Sequence, residues 1–465
     1  MRKGLTGCVL LFWGLFWIGC GAGPQPDVAF QYQEKPAVKA LQKKTIAYPQ
    51  ARFVVLADPH YHHPDLGSSG PAFEAYIESD RKLLAQSDAI LDAAIERIRQ
   101  EPADFVLICG DLTKDGSRRN HEHVAEKIGR LHPSAPVYVV PGNHDVLNGE
   151  AYGYTKTGRE RIPTVTADEF ENIYQSFGYG QALAADPNSL SYVVEPVPGL
   201  RLLALDSCLW RKNSPDGHPH VDGRFSADTL RWIENMLIRS KREGKAVLAT
   251  MHHGLVEHYP NNEKYYGEYV VDNSEAVAEL LARYGVRLVF TGHFHAQDIT
   301  KKDITQKEIT ENQTGAAAPF VFDVETGSLV TYPCPYRSVR IDENQTCHIE
   351  SRFIQSIAGM EADFQAFARE FAYQGTIGMA NEALEGYRVS EAGREKLSPQ
   401  IADAYLAHLS GDEKKPETVI TAKGTGLMGR LVVWSQKDLV EGWWTDLPPP
   451  DNSLTIDLES GGWRQ

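Results

Sequence analysis

Five segments of this chain set metal-ligating side chains just past the end of a short apolar run. They are Asp58-Pro59-His60 after Phe53-Val54-Val55-Leu56, Gly110-Asp111 after Phe105-Val106-Leu107-Ile108, Gly142-Asn143-His144-Asp145 after Val137-Tyr138-Val139-Val140, His252-His253 after Ala246-Val247-Leu248-Ala249, and Gly292-His293-Phe294-His295 after Val286-Arg287-Leu288-Val289-Phe290. Short apolar runs of this kind fit strands buried on both faces. Helical spacing separates them, through Leu84, Ile90, Leu91, Ala94, Ile95 and Ile98, then Val124, Ile128 and Leu131, then Leu230, Ile233 and Leu237, and again near 274–284. Alternation of this sort predicts a layered α/β core, and the carboxyl ends of its strands share the crevice where ligands sit. Late strands expected at 319–323, 328–332, 337–341 and 346–354 have no helix between them, so part of the sheet is antiparallel and a two-sheet sandwich covered by helices fits. Beyond residue 357 the pattern turns helical.

The residue types at the five strand ends supply ligands for two ions. Asp58 and His60 stand two apart on an extended turn and face one ion. Gly110 permits close approach of the backbone beside Asp111, whose two carboxylate oxygens suit it to bridge. Asn143 offers a neutral carbonyl oxygen, and His252, His293 and His295 offer imidazole nitrogen. The tally gives Asp58, His60, Asp111 and His295 for one ion, and Asp111, Asn143, His252 and His293 for the other. Mixed oxygen and nitrogen ligands favour Mn, Fe or Zn over Ca or Mg. Two such ions about 3.5–4 Å apart clamp the attacking and departing oxygens of a phosphate ester, and a bridging water is acidified towards a hydroxide that attacks phosphorus. His144 is the candidate for stabilising or protonating the departing oxygen. Asp145 is the candidate for holding His144 or a ligating imidazole in the right tautomer. Taken singly, each segment also reads as a polar turn; the ordered set does not. His62 and His63 extend the first motif and are candidates for touching substrate, with a solvated turn as the ordinary reading. Tyr259, Tyr265 and Tyr266 suit stacking on a base or sugar, or packing of a surface loop. Asp206, at a strand end, is a candidate for supporting a metal ligand, with a turn residue as the ordinary reading.

The N-terminus is a separate object. Arg2 and Lys3 precede an apolar stretch from Cys8 to Ile18, followed by Gly19 and Cys20, which reads as an export signal. Trp17-Ile18-Gly19-Cys20 resembles a lipoprotein processing site that would make Cys20 the lipidated first residue. Ordinary cleavage with release and an uncleaved anchor are the alternatives. The stretch is short for a spanning helix. Removing residues 1–19 takes the 47 Lys and Arg to 45 against 62 Asp and Glu, a net charge of −17. So acidic a surface argues against nucleic acid as a partner. Hydrophobic residues at 42% can bury a sizeable core. Four cysteines lie beyond the signal, too few for a disulfide scaffold; Cys334 and Cys347 flank a two-stranded segment and are a candidate pair, and Cys109 reads as a small buried hydrophobe.

Taken together, these segments resemble the calcineurin-like metallophosphoesterase superfamily, over about residues 52–352. Within it the similarity is to the bacterial branch that includes cyclic-nucleotide phosphodiesterases. The resemblance implies a four-layer α/β/β/α sandwich of mixed sheets and a dinuclear centre with the ligand set tallied above. It also implies that His252 is the ligand of its pair and His253 its adjacent support. Gly254 departs from the Pro common in relatives, and the Tyr-rich stretch 258–272 implies a distinctive pocket rim. The expected organisation is a lipoprotein-type signal at 1–20, a tether at 21–50, the catalytic domain at 51–355 and a mostly helical C-terminal extension at 356–465. The expected activity is hydrolysis of a small-molecule phosphate ester outside the cytoplasm, in the cell envelope or secreted, with a phosphodiester favoured on resemblance alone. A phosphomonoesterase and a non-catalytic cell-surface binding lipoprotein are the rivals. Membrane contact is expected only through a lipid on Cys20; oligomeric state stays open.

Overall fold

A computed structural model describes residues 28–78, 80–132, 134–214, 217–304 and 318–465. Two seven-stranded sheets pack face to face. The first runs Trp463–Arg464, Ser453–Asp457, Thr346–Phe353, Pro335–Ile341, Ala51–Leu56, Phe105–Cys109 and Val137–Val140, edge to edge. The second runs Asp298–Asp303, Phe320–Glu325, Leu288–Thr291, Ala246–Thr250, Leu200–Ala204, Tyr192–Val197 and Ala184–Ala185. Ala51–Leu56, Phe105–Cys109 and Val137–Val140 are mutually parallel at one side of the first sheet, and Leu200–Ala204, Ala246–Thr250, Leu288–Thr291 and Phe320–Glu325 are mutually parallel in the second; antiparallel strands complete each sheet.

Three apolar layers explain the near-continuous hydrophobic runs. Phe53, Val55, Leu107, Leu202, Leu248 and Phe290 meet between the sheets. Val54, Leu56, Val106 and Ile108 face the helices Ser87–Ile98 and Arg118–Gly129. Leu203, Val247 and Val289 face Ala227–Glu243 and Ser274–Arg283. Strands with both faces covered leave no polar side, so their sequences lose the alternation of a half-exposed sheet. The four-layer α/β/β/α sandwich of mixed sheets is therefore present. Two of these helices start on side-chain caps: Ser117 Oγ accepts from Asn120 N and Ser226 Oγ from Thr229 N.

Several expectations change. Residues 1–27, with the signal, Cys20 and the start of the tether, lie outside the described residues. Residues 28–50 are no tether: Phe30, Tyr32 and Val38 are buried on the helix Ala227–Glu243, and Glu234 accepts both Gln31 N and Tyr32 N. Residues 328–332 form no strand, because their backbone groups bond two separate places, Leu329 N to Ala57 O and Leu83 N to Val330 O. Cys334 and Cys347 are both free. The hairpin register sets Cys347 opposite Ile341 while Cys334 precedes the strand's first residue, so the two lie at different levels of the hairpin. The C-terminal segment is mostly helical, with Phe364–Gly386, Glu391–Ser410 and Gly426–Trp443, but its end returns as Ser453–Asp457 and pairs with Thr346–Phe353. No helix among the described residues is long and apolar enough to cross a membrane.

Candidate metal centre

All five segments meet in the crevice between the sheets, three arriving from the first sheet and two from the second. Donor atoms of Asp58, His60, Asp111 and His295 lie within 4.8 Å of one another, as do those of Asp111, His252 and His293. Asp111 is common to both groups. Asn143 joins the second group, its Oδ1 3.0 Å from His252 Nε2. None of these seven residues is more than 7% exposed.

Backbone strain concentrates here. Asp58, His60, Asp111, His293 and His295 all have positive φ, between 36° and 78°. Residues other than glycine visit this region rarely, at a cost of about 1–3 kcal/mol each, and do so where the surrounding structure enforces it. Two glycines permit the close packing around Asp111 and Asp58. A Cβ on Gly142 would stand 2.1 Å from Asp111 Oδ1, and one on Gly292 would stand 2.3 Å from Asp58 Oδ2.

The donor set fits a pair of cations. His252 Nδ1 donates to Cys109 O at 2.9 Å, so its Nε2 turns a lone pair towards Asn143 Oδ1 and towards Asp111 Oδ2 at 3.5 Å. His60 Nε2 and His295 Nε2 face each other at 3.0 Å, with Asp111 Oδ2 3.5 Å from the first and Asp58 Oδ1 3.5 Å from the second. Burial, and after it the Lys82 ammonium, holds His60 well below the usual histidine range. Burial, with the neighbouring His253, does the same to His293, and burial lowers His295. Neutral imidazoles thus present lone pairs to carboxylate and amide oxygens, an arrangement of acceptor against acceptor that a cation resolves. His293 Nε2 is buried with no partner at all. Against the pull of burial, the Asp111 and Asp58 carboxylates raise His252 to about 9; a metal ion would take the place of that proton.

His144 stands at the edge of this group, its side chain 23% exposed and its Nε2 4.0 Å from Asp111 Oδ2. Its Nδ1 lies 3.1 Å from Asp115 Oδ1. Burial works against protonation, but Asp111 and Asp115 together raise the imidazole above its ordinary value. The expected role of Asp145 as the support for His144 or a ligand imidazole is corrected. Its carboxylate accepts Leu112 N, Thr113 N, Thr113 Oγ1 and Gly142 N, so it pins two ligand loops together and touches no imidazole. Asp115, itself paired with Lys114, is the residue that holds His144. Nothing in its spacing distinguishes Asp115 from an ordinary turn carboxylate.

The other candidates fall away from the crevice or into its walls. His62 is buried, with Nε2 on Gly67 O and its ring on Phe73, and burial lowers it to about 4. His63 stacks on His123. His253 is bonded by Ser207 Oγ and Val221 O and packs its ring on His293. Asp206 accepts Leu190 N, Cys208 N and Trp210 Nε1 and organises its own loop. Tyr265 is tied to Asp438, and Tyr259 is fully buried against Phe294 and His408. Tyr266 lines a small hollow with Arg81, Tyr269, Phe294, Tyr405 and Trp443. The ring of Tyr269 lies 4.5 Å from that of His293, so the hollow adjoins the centre. Arg81 and Lys82 were not legible as site residues: they lie in an irregular link with no motif around them.

A two-sheet sandwich with paired donor groups sharing one carboxylate at its strand ends defines a dinuclear-type metal centre. The chain belongs to the calcineurin-like phosphoesterase family, whose model matches residues 51–297. Among curated proteins it is similar to a probable glycerophosphodiester phosphodiesterase, GpdQ, of Arcobacter nitrofigilis, with 26% identity over 44% of this chain and 61% of the relative. It is also similar to a probable cyclic nucleotide phosphodiesterase of Synechococcus sp., with 24% identity over 44% of this chain and 62% of the relative. The human serine/threonine-protein phosphatase CPPED1 matches at 23% identity over 52% of this chain and 68% of the relative. The match thus spans about three fifths of the length of the first two. Among solved structures, a dimetal phosphatase from Danio rerio aligns with a TM-score of 0.43 and 17% identity, over 67% of this chain and 97% of that one.

Proposed function

We propose that this chain is a metal-dependent hydrolase of phosphoric esters that prefers diesters. The carrying observation is the single carboxylate, Asp111, shared by two donor groups. Bound there as Mn, Fe or Zn, an ion pair would supply Lewis acidity and an activated nucleophile at neutral pH. The chain's own residues do the rest. Arg81, at the hollow, and Lys82, which pairs with Asp80 and whose charge acts on the imidazoles of His60, His144 and His295, provide positive charge for phosphate oxygens in an otherwise acidic protein. His144, with Nδ1–H held by Asp115, protonates the departing oxygen through Nε2. The aromatic hollow beside His293 receives an ester substituent. That second binding surface, together with the activities for which the first two relatives are named, supports the diester preference.

The test is purified protein with added Mn on bis-p-nitrophenyl phosphate and p-nitrophenyl phosphate. Faster turnover of the diester is expected, and equal or faster turnover of the monoester reverses the preference. No turnover of either, with metal bound, would favour the binding-lipoprotein reading. Export with a lipid on Cys20 belongs to the same proposal, supported by residues 2–20. Palmitate labelling that survives Cys20→Ser would overturn it.

A further inference from the structure

A second cluster of ligating side chains lies outside the crevice, where the C-terminal segment meets the strand Asp298–Asp303. Donor atoms of Asp298, His408 and Glu413 fall within 4.8 Å of one another, and so do those of Asp412, Asp446 and Asp451. Asp298 and Asp451 are buried, and the side chains of His408 and Glu413 are each 1% exposed. His408 Nδ1 donates to Glu413 Oε1 at 2.7 Å, which leaves Glu413 Oε2 buried with no partner; Asp446 Oδ1 is likewise buried and unpartnered. An orphaned carboxylate oxygen in so dry a place is costly unless a cation meets it.

Charge points the same way. Asp298, Asp323, Glu325, Asp412, Glu413, Asp446 and Asp451 gather near His258, Arg337 and His408. His258 lies 2.8 Å from Asp298 and 3.0 Å from Asp323. Arg337 directs its guanidinium at the carbonyl oxygens of Asp451, Asp298 and Glu325. His408 is already engaged by Glu413. Burial pushes Glu413 and Asp451 up and Asp446 up to about 7, as expected of carboxylates that lack a counter-charge.

We propose that this acidic pocket, in which Asp298 and Glu413 belong to one donor group and Asp412, Asp446 and Asp451 form an adjoining one, binds a structural divalent cation of the calcium type, separate from the catalytic pair. Carboxylate oxygens, most of them on irregular chain, suit a hard, geometrically tolerant ion, and the Nδ1 contact of His408 orients Glu413. Three stretches of the C-terminal segment are thereby clamped to a strand that begins three residues after His295. The clamp also bears on the centre, since the His408 ring packs edge-on against Phe294, which lies between His293 and His295.

The test uses the full chain. Elemental analysis of the native protein is expected to give one calcium per chain beside two transition-metal ions. Dialysis against EGTA should lower Tm, and excess Ca2+ should restore it by roughly 3 °C. The double variant Glu413→Gln, Asp446→Asn should lose the calcium and the Ca2+-dependent rise in Tm while keeping the transition-metal pair. Absence of calcium from the native protein, a third transition-metal ion in its place, or a wild-type Tm indifferent to Ca2+ would each overturn the proposal; the wild-type measurements stand even where the variant fails to fold.

Discussion

Asp111 belongs to both donor groups, so its loss reaches both. Asp111→Ala is expected to remove metal uptake and turnover together, read by elemental analysis beside the diester assay. His144 and Asp115 should behave differently, because neither belongs to the shared donor groups. His144→Ala is expected to lower kcat by about 10²-fold or more with most metal retained. Asp115→Asn should move kcat in the same direction by a smaller factor, since an amide oxygen still accepts from Nδ1. Metal loss in His144→Ala comparable to that in Asp111→Ala would refute the assignment. An Asp115→Asn variant with unaltered kcat would show that the 3.1 Å contact does not position the imidazole.

At the scale of elements, loops placed by glycine carry the site. Gly142→Ala would drive a methyl to within 2.1 Å of Asp111 Oδ1 and 2.2 Å of Asp111 N. The expected result is metal affinity down by an order of magnitude or more and stability lower by about 1–3 kcal/mol, from urea titration of apo and metal-loaded protein. The helix Arg118–Gly129 supports the same loop through His121. Its Nε2–H donates to Asp145 O at 2.9 Å, and its Nδ1 accepts from Tyr174 OH at 2.9 Å. Burial lowers this imidazole to about 4. The unfolded chain therefore binds a proton near pH 6.5 that the folded chain refuses, and stability falls as pH drops from about 6.5 towards 4. About 2 kcal/mol should be lost by pH 4.5 on this account, and His121→Gln, though less stable at pH 7, should show a flatter acid limb. An equal acid slope in both proteins would exclude His121 as the source.

These elements also show what a sequence discloses. The seven metal-capable residues were legible because each follows a strand with both faces buried, where an apolar run stops abruptly at a polar residue. Their positive φ was hidden, since Asp and His carry no mark of it as glycine does. Asp115 was missed because the turn that returns it to His144 is a tertiary event. The strand Asp298–Asp303 reads Asp-Ile-Thr-Lys-Lys-Asp, with one apolar side chain, and owes its conformation to a full antiparallel register with Phe320–Glu325. Residues 28–50 looked like a tether because their anchors, Phe30, Tyr32, Val38 and Tyr48, are isolated among polar residues.

For the whole molecule the boundary near residue 355 has no physical separation behind it. Ser453–Asp457 covers the outer edge of Thr346–Phe353 and carries Leu454 and Ile456 into the layer between the sheets. Tyr405 and Trp443 wall the hollow beside Phe294 and Tyr266. A chain ended at residue 355 would leave an unpaired strand edge, an open end of the central core and a bare aromatic surface beside the donor groups, conditions that favour association. It is expected to elute as aggregate in size-exclusion chromatography and to bind less metal than the full chain at equal concentration. A monomeric truncated protein with a full complement of metal would show that the first 355 residues form a self-sufficient unit, and that the helices modulate the pocket rather than complete it.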